Sequence, residues 1–193
     1  TKLVGQGYEI VALTRRIPDA AQQISGVTYI QADITDQNAP LEKAVAGCSL
    51  VFHCAGEIHV EKRMRALHVD GFARLLNTCA HVAKERGESL HWVQLSSVGA
   101  YGLPRGSSLP RTVTEDSESL PEGEYETTKA EADVLLENSA FGEFFSYSIL
   151  RPSIVCGPKM PNASVRQWAA AVKRGLFFYI GKPGAVSTYV HVD

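Results

Sequence analysis

Residues 50–97 read LVFHCAGEIHVEKRMRALHVDGFARLLNTCAHVAKERGESLHWVQLSS, and their pattern decides the fold. Leu50–Cys54 is a short apolar run closed by Ala55-Gly56, as a buried strand would be. Met64, Leu67, Phe72, Leu75, Leu76, Cys79 and Val82 then recur mostly at three- and four-residue steps, which on a helix makes one apolar stripe. The stripe fades at Arg86-Gly87, a helix stop. His91–Leu95 reads as a second strand, ended by Ser96-Ser97. A strand, a long helix and another strand form the crossover unit of a parallel sheet.

The same alternation extends both ways. Residues 1–7 read as the end of a helix, with Gly5 or Gly7 near its cap. Tyr8–Thr14 is a strand ended by Arg15-Arg16, and Pro18 opens a short helical segment. Val27–Ala32 is a strand closed by Asp33-Ile34-Thr35-Asp36, and a helix over about 39–46 ends at Gly47. Residues 102–123 hold Pro104, Gly106, Pro110, Pro121 and Gly123 without a periodic pattern; a loop of that length inside a compact domain is read as functional. A helix starts at Glu124, with Ala130, Val134, Leu135 and Phe141 expected inward. Ser148–Arg151 is a strand, a helix covers about 165–173, and Phe177–Ile180 and Tyr189–Val192 read as extended. The expected class is α/β: a parallel sheet with helices on both faces. Ligands of such sheets bind beyond the carboxyl ends of the strands, where Arg15, Asp33, Ile34, Ala55, Gly56, Ser96, Ser97, Pro152 and Ser153 fall.

Composition excludes several classes. The 193 residues carry a formal net charge of −2, which offers no bulk attraction to nucleic acid or membrane. No apolar run reaches membrane-spanning length, and no signal peptide is visible. Cys48, Cys54, Cys79 and Cys156 are scattered, with no zinc-ligand spacing. They are expected to be reduced and mostly buried, in a cytoplasmic chain.

Chemistry enters at Glu124-Tyr125-Glu126-Thr127-Thr128-Lys129. Tyr125 and Lys129 project from one helix face a turn apart. A free phenol has a pKa of about 10, and a neighbouring ammonium is expected to lower it toward working pH.

Taken together, GYEIVALTRR, ADITD, VFHCAG, LSSVGAYG, YETTK, ILRPSIVCGP and YVHVD, in that order, resemble the extended short-chain dehydrogenase/reductase family, also called the NAD-dependent epimerase/dehydratase family. The resemblance covers essentially the whole chain and implies a Rossmann-like fold, incomplete at both ends. The family's first strand and its G-x-x-G-x-x-G turn are not found in 1–193, and the substrate lobe would begin at about 175–193. Residues 1–193 are therefore expected to form a partial NAD(P)-binding domain, with unpaired strand edges, weak cofactor binding, poor stability and no activity in isolation.

The resemblance implies roles. Tyr125 would pass a proton to or from the substrate oxygen, Lys129 would lower its pKa and bond the nicotinamide ribose, and Ser97 would bond the reacting oxygen. Asp33 and Ile34 would meet the adenine, while Ala55 and Gly56 would let the ribose approach. Ser96 would touch the cofactor, and Pro152 and Ser153 would line the nicotinamide pocket. Arg15, where an acid would suit NAD, leans the cofactor to NADP. His68 stands where the family often has Asn and reads as a core or helix-face residue. Dehydratases and decarboxylases of the family typically carry an acid just after the catalytic Ser/Thr. Here Val98-Gly99 follow Ser97, so those reactions are disfavoured. What remains is a reductase or epimerase acting at a secondary alcohol or ketone, on a nucleotide sugar or a sterol- or flavonoid-like ketone. The alternative is a non-catalytic dinucleotide-binding or interaction protein. A homodimer through the Met64–Val82 and Tyr125–Leu136 helices is also expected.

Overall fold

The strands are short runs of apolar and β-branched residues, and every pairing between them is parallel. The computed structural model describes residues 2–102, 111–157, 160, 163–176, 178 and 188–192. In chain order it has α1 (Lys2–Gly5), β1 (Ile10–Thr14), β2 (Val27–Gln31), α2 (Leu41–Val45), β3 (Leu50–His53) and α3 (Glu61–Arg65). α3 runs through a π-helical turn, Ala66–Gly71, into α4 (Phe72–Arg86). Then come β4 (Leu90–Leu95), α5 (Glu124–Asn138), β5 (Phe145–Leu150), β6 (Ile154–Cys156), α6 (Ser164–Lys173) and β7 (Tyr189–His191).

β1 pairs with β2, from Ile10 opposite Val27 to Thr14 opposite Gln31. β3, β4 and β5 form a second sheet in that order. β6 and β7 form a third pair. Among the described residues no strand joins β1 to β3. A trough of about 1000 Å³ separates them, walled by Tyr8–Arg15 on one side and Ser49–Gly56 on the other. The unpaired edges expected from the sequence are therefore present.

The core lies between the three-stranded sheet and α4–α5. Phe72, Cys79, Trp92 and Leu136 have no exposed surface, and Leu76 and Leu90 almost none. The Phe72 and Trp92 rings meet edge to face at 5.6 Å, and the His53 ring stacks on Trp92 at 5.2 Å. α4 ends where expected: Gly87, at φ 61°, donates back to the Ala83 and Lys84 carbonyls, a left-handed cap suited to glycine. The π turn brings Gly71 against β2's exit, where a Cβ would stand 2.9 Å from the Ile34 carbonyl oxygen.

Two expectations need correction. Val134 and Leu135 of α5 face outward, 47% and 37% exposed. The inward face is instead Lys129, Ala132, Asp133 and Leu136, because its polar members find buried partners. The cysteines are free, but only Cys79 is buried, and Cys54 is exposed at the end of β3. A 3-10 turn, Val98–Tyr101, follows β4 without a sequence signal. Phe177, Tyr179 and Ile180 lie outside the described residues, as do 103–110 of the long loop. Residues 111–123 form no helix or strand, and they are tied to the turn after β4 by Arg111 donating to the Tyr101 carbonyl and Ser119 to that of Ala100.

Candidate active site

β4 ends at Leu95, and the next residues turn over the start of α5. Ser97, extended at φ −151° and ψ 143°, accepts the Gly99 amide at its Oγ, 3.1 Å away. Its hydroxyl hydrogen is left free to donate. α5 brings Tyr125 and Lys129 to the same end of the sheet.

Lys129 is 4% exposed and donates to the Leu95 carbonyl at 2.5 Å. Burial pulls its pKa down, against the charges of Asp133 and Cys54. The expected lowering of the Tyr125 pKa does not occur in this arrangement. Burial, and then the Glu126 carboxylate, push the phenol up instead. The reason is geometric: the Lys129 amine is anchored to the end of β4, and Tyr125 has an acid as its next residue. Tyr125 therefore keeps its proton near neutrality and is set to donate it.

His68, on the π turn, does more than fill space. Its Nε2 accepts the Glu57 amide at 2.8 Å, so Nδ1 carries the proton and donates to Thr128 Oγ1, also at 2.8 Å. Thr128 passes its own hydrogen to the Glu124 carbonyl at 2.7 Å. The His68 ring stands edge-on to Tyr125 at 5.6 Å. One buried imidazole thus links the loop after β3 to the first turns of α5. Burial, reinforced by Lys129, lowers its pKa to about 4, which keeps it neutral.

Behind Lys129, Asp133 is 1% exposed. Its Oδ2 accepts Ser96 Oγ at 2.6 Å and Arg151 Nε at 2.8 Å. Arg151 also donates to the Tyr101 hydroxyl and to Glu137. Burial raises the Asp133 carboxyl, opposed by Ser96 and Arg151. Ser96, expected as a cofactor contact, is itself 4% exposed and spends its hydroxyl on this network.

The remaining predicted cofactor residues fall into two groups. Arg15, Asp33, Ile34, Ala55 and Gly56 line one end of the trough between β1 and β3. Asp33 accepts the Thr35 amide and hydroxyl at Oδ1. The amide bond is the main reason its pKa is low, and Oδ2 remains open. The Ile34 carbonyl accepts a hydrogen bond from Arg74 of α4 at 2.9 Å. Pro152 and Ser153 lie away from the trough, beyond β5, where the Pro152 carbonyl accepts the Val98 amide at 3.0 Å. Ser153 Oγ is buried without a partner. A dinucleotide fits this arrangement in part: the residues expected to meet its adenosine converge on one end of the trough, and an unsatisfied hydroxyl lies beside Pro152. The rest of the trough runs along the strand edges, away from Ser97, Tyr125 and Lys129.

Sequence reasoning missed Arg74, Thr128, Asp133 and Arg151, and it gave His68 too small a part. It also missed Glu126, which lies over Gly99 beside Ser97. An acid is therefore present near Ser97 in space, although none follows it in sequence.

The model of the NAD dependent epimerase/dehydratase family matches residues 1–193. The chain belongs to that family. D-erythronate dehydrogenase of Cupriavidus necator is 30% identical to it over 182 residues, which is 89% of this chain and 53% of that protein. Among solved structures, MoeE5 in complex with UDP-glucose or UDP-glucuronic acid and NAD matches at a TM-score of 0.73, with 26% identity in the UDP-glucuronic acid complex, over 99% of this chain and 62% of that one. The UDP-glucose 4-epimerase of Thermus thermophilus, in complex with NAD, shares the fold at a TM-score of 0.73 and 23% identity, over 99% of this chain and 65% of that one. The chain thus spans about half to two-thirds of the length of these relatives. Among the described residues, no helix is long and apolar enough to cross a membrane, and no His/Cys/Asp/Glu cluster could hold a metal.

Proposed function

We propose that the protein is an NAD(P)-dependent oxidoreductase or epimerase, transferring a hydride at a secondary alcohol or ketone of a nucleotide sugar or similar substrate. The observation that carries this reading is the junction of β4 and α5. There Ser97, with a free hydroxyl hydrogen, and Tyr125, held as a phenol, stand at the carboxyl end of a parallel sheet, with Lys129 buried one turn behind. The bound nicotinamide would give or take the hydride. In the reducing direction Tyr125 donates its proton to the developing alkoxide, and Ser97 stabilises the same oxygen by a hydrogen bond. In the oxidising direction Tyr125 takes the proton, which its raised pKa makes the base-requiring, alkaline-favoured direction. Asp33 and Ile34 would hold the adenine end, Ala55 and Gly56 the ribose, and Pro152 and Ser153 the nicotinamide. Ser96 is not carried forward as a contact. Arg15 supports NADP over NAD, because its guanidinium suits a ribose phosphate. The relatives' names point to nucleotide sugars and to a sugar acid. The exposed Val134 and Leu135 are consistent with a homodimer through α4 and α5.

Tyr125→Phe in the native full-length protein tests the reading. Turnover should fall by about 100- to 10,000-fold, while dinucleotide affinity, measured by titration calorimetry, stays nearly unchanged. Retained turnover would sink the assignment and favour a dinucleotide-binding protein without this chemistry.

A further inference from the structure

The carboxylate beside Ser97 has a seat made by two glycines. A Cβ on Gly99 would come within 2.8 Å of Glu126 Cγ, 3.6 Å of its Oε1 and 3.3 Å of Ser97 Oγ. A Cβ on Gly123, itself at φ +84°, would lie 3.1 Å from Glu126 Oε2. Glu126 thus fills the space where residue 99 would otherwise carry its own side chain. It is half-buried, and among the described residues it holds no hydrogen bond or ion pair. An acid in a helix's first turn also stabilises that terminus by about 0.3–1 kcal/mol. Glu124 already stands there, 3.8 Å from Arg65. Helix stabilisation alone does not explain why a second carboxylate is laid across the turn that holds Ser97.

We propose that Glu126 determines substrate specificity: its carboxylate accepts hydrogen bonds from hydroxyls flanking the reacting carbon and turns away substrates that carry a carboxylate there. The substrate class is therefore hydroxyl-rich and uncharged at its reacting end, a neutral sugar rather than a uronate or aldonate. The inference rests on the placement of the reacting carbon at Ser97 and Tyr125. Hydroxyl-to-carboxylate bonds are charge-assisted and strong. Two carboxylates sharing a partly desolvated volume repel each other, by enough for a preference of about tenfold.

The test is calorimetric binding of UDP-glucose and UDP-glucuronic acid to the full-length protein in the presence of NAD. The wild type should favour UDP-glucose by about tenfold. Glu126→Gln, which keeps the volume and removes the charge, should bring the ratio to about one, with the melting temperature little changed. Gly99→Ala, whose Cβ displaces Glu126 and also crowds Ser97 Oγ, should move the ratio in the same direction. An equal ratio in wild type and Glu126→Gln overturns the proposal, as does failure of the wild type to bind either sugar nucleotide. Binding is read without turnover, so a failure here is distinct from a failure of the Tyr125→Phe experiment.

Discussion

The two halves of the sheet are built from similar strands and end in opposite conditions. β1 and β2 are as apolar as β3 and β4, yet no residue of either is buried. On the other side, alternate residues of β4 are fully covered, and Trp92 has no exposed surface. The strands with one packed face lie under α4 and α5, where Ser97 follows β4 and Tyr125 and Lys129 sit on α5. The pair beside the trough ends at Arg15, Asp33 and Ile34, on an open edge. Strand propensity is local, but burial belongs to neighbours, and among the described residues β1 pairs with β2 alone.

The largest expected effect that would break this contrast is in stability. Phe72→Ala should cost about 3–5 kcal/mol, the usual cost of emptying a packed aromatic site. Val11→Ala, at a position 39% exposed, should cost well under about 1 kcal/mol. Denaturant melts of both variants measure this, and equal losses would mean that the open half is as tightly packed as the closed one.

Acid sharpens the contrast next. Burial, then Lys129 and His68, lower the pKa of His53 from 6.5 to about 3. The unfolded chain takes up a proton there below about pH 6.5 and the folded one does not, so stability falls as pH drops from 6.5 toward 3. The slope is about 1.4 kcal/mol per pH unit for this one group. His53→Phe should flatten the melting temperature against pH over that range; an unchanged profile would mean that His53 is not the group responsible.

The smallest effect lies in the open half. Arg15→Asp should shift the affinity ratio of NADP to NAD toward NAD by about tenfold. This is measured on the full-length protein, with turnover at saturating cofactor little changed. An unaltered ratio would separate Arg15 from the ribose phosphate.

The fold was legible because its signals are repetitive. β3 and β4 were read within about a residue, and the glycine stop at Gly87 is where the stripe faded, but the one long helix expected from Met64 is α3, a π turn and α4. The site was legible only where the family's motifs name it. α5 shows the limit: counting apolar residues turned Val134 and Leu135 inward, yet the buried face is the one with Lys129 and Asp133. Their charges are matched by a carbonyl at the end of β4, by Ser96 and by Arg151, partners 18 to 37 residues away that no local pattern shows. Glu126 was hidden for the same reason, since its place depends on side chains that Gly99 and Gly123 do not have.

Arg74 reaches from α4 to the backbone carbonyls of Ile34 and Asp36. That guanidinium bonds β2's exit to the helix over the three-stranded sheet, and Ile34, Leu41 and Val45 share the apolar core of that helix. The open pair is therefore moored to the closed half through its strand exits and α2, and a substitution at Arg74 would be felt on both sides of the trough.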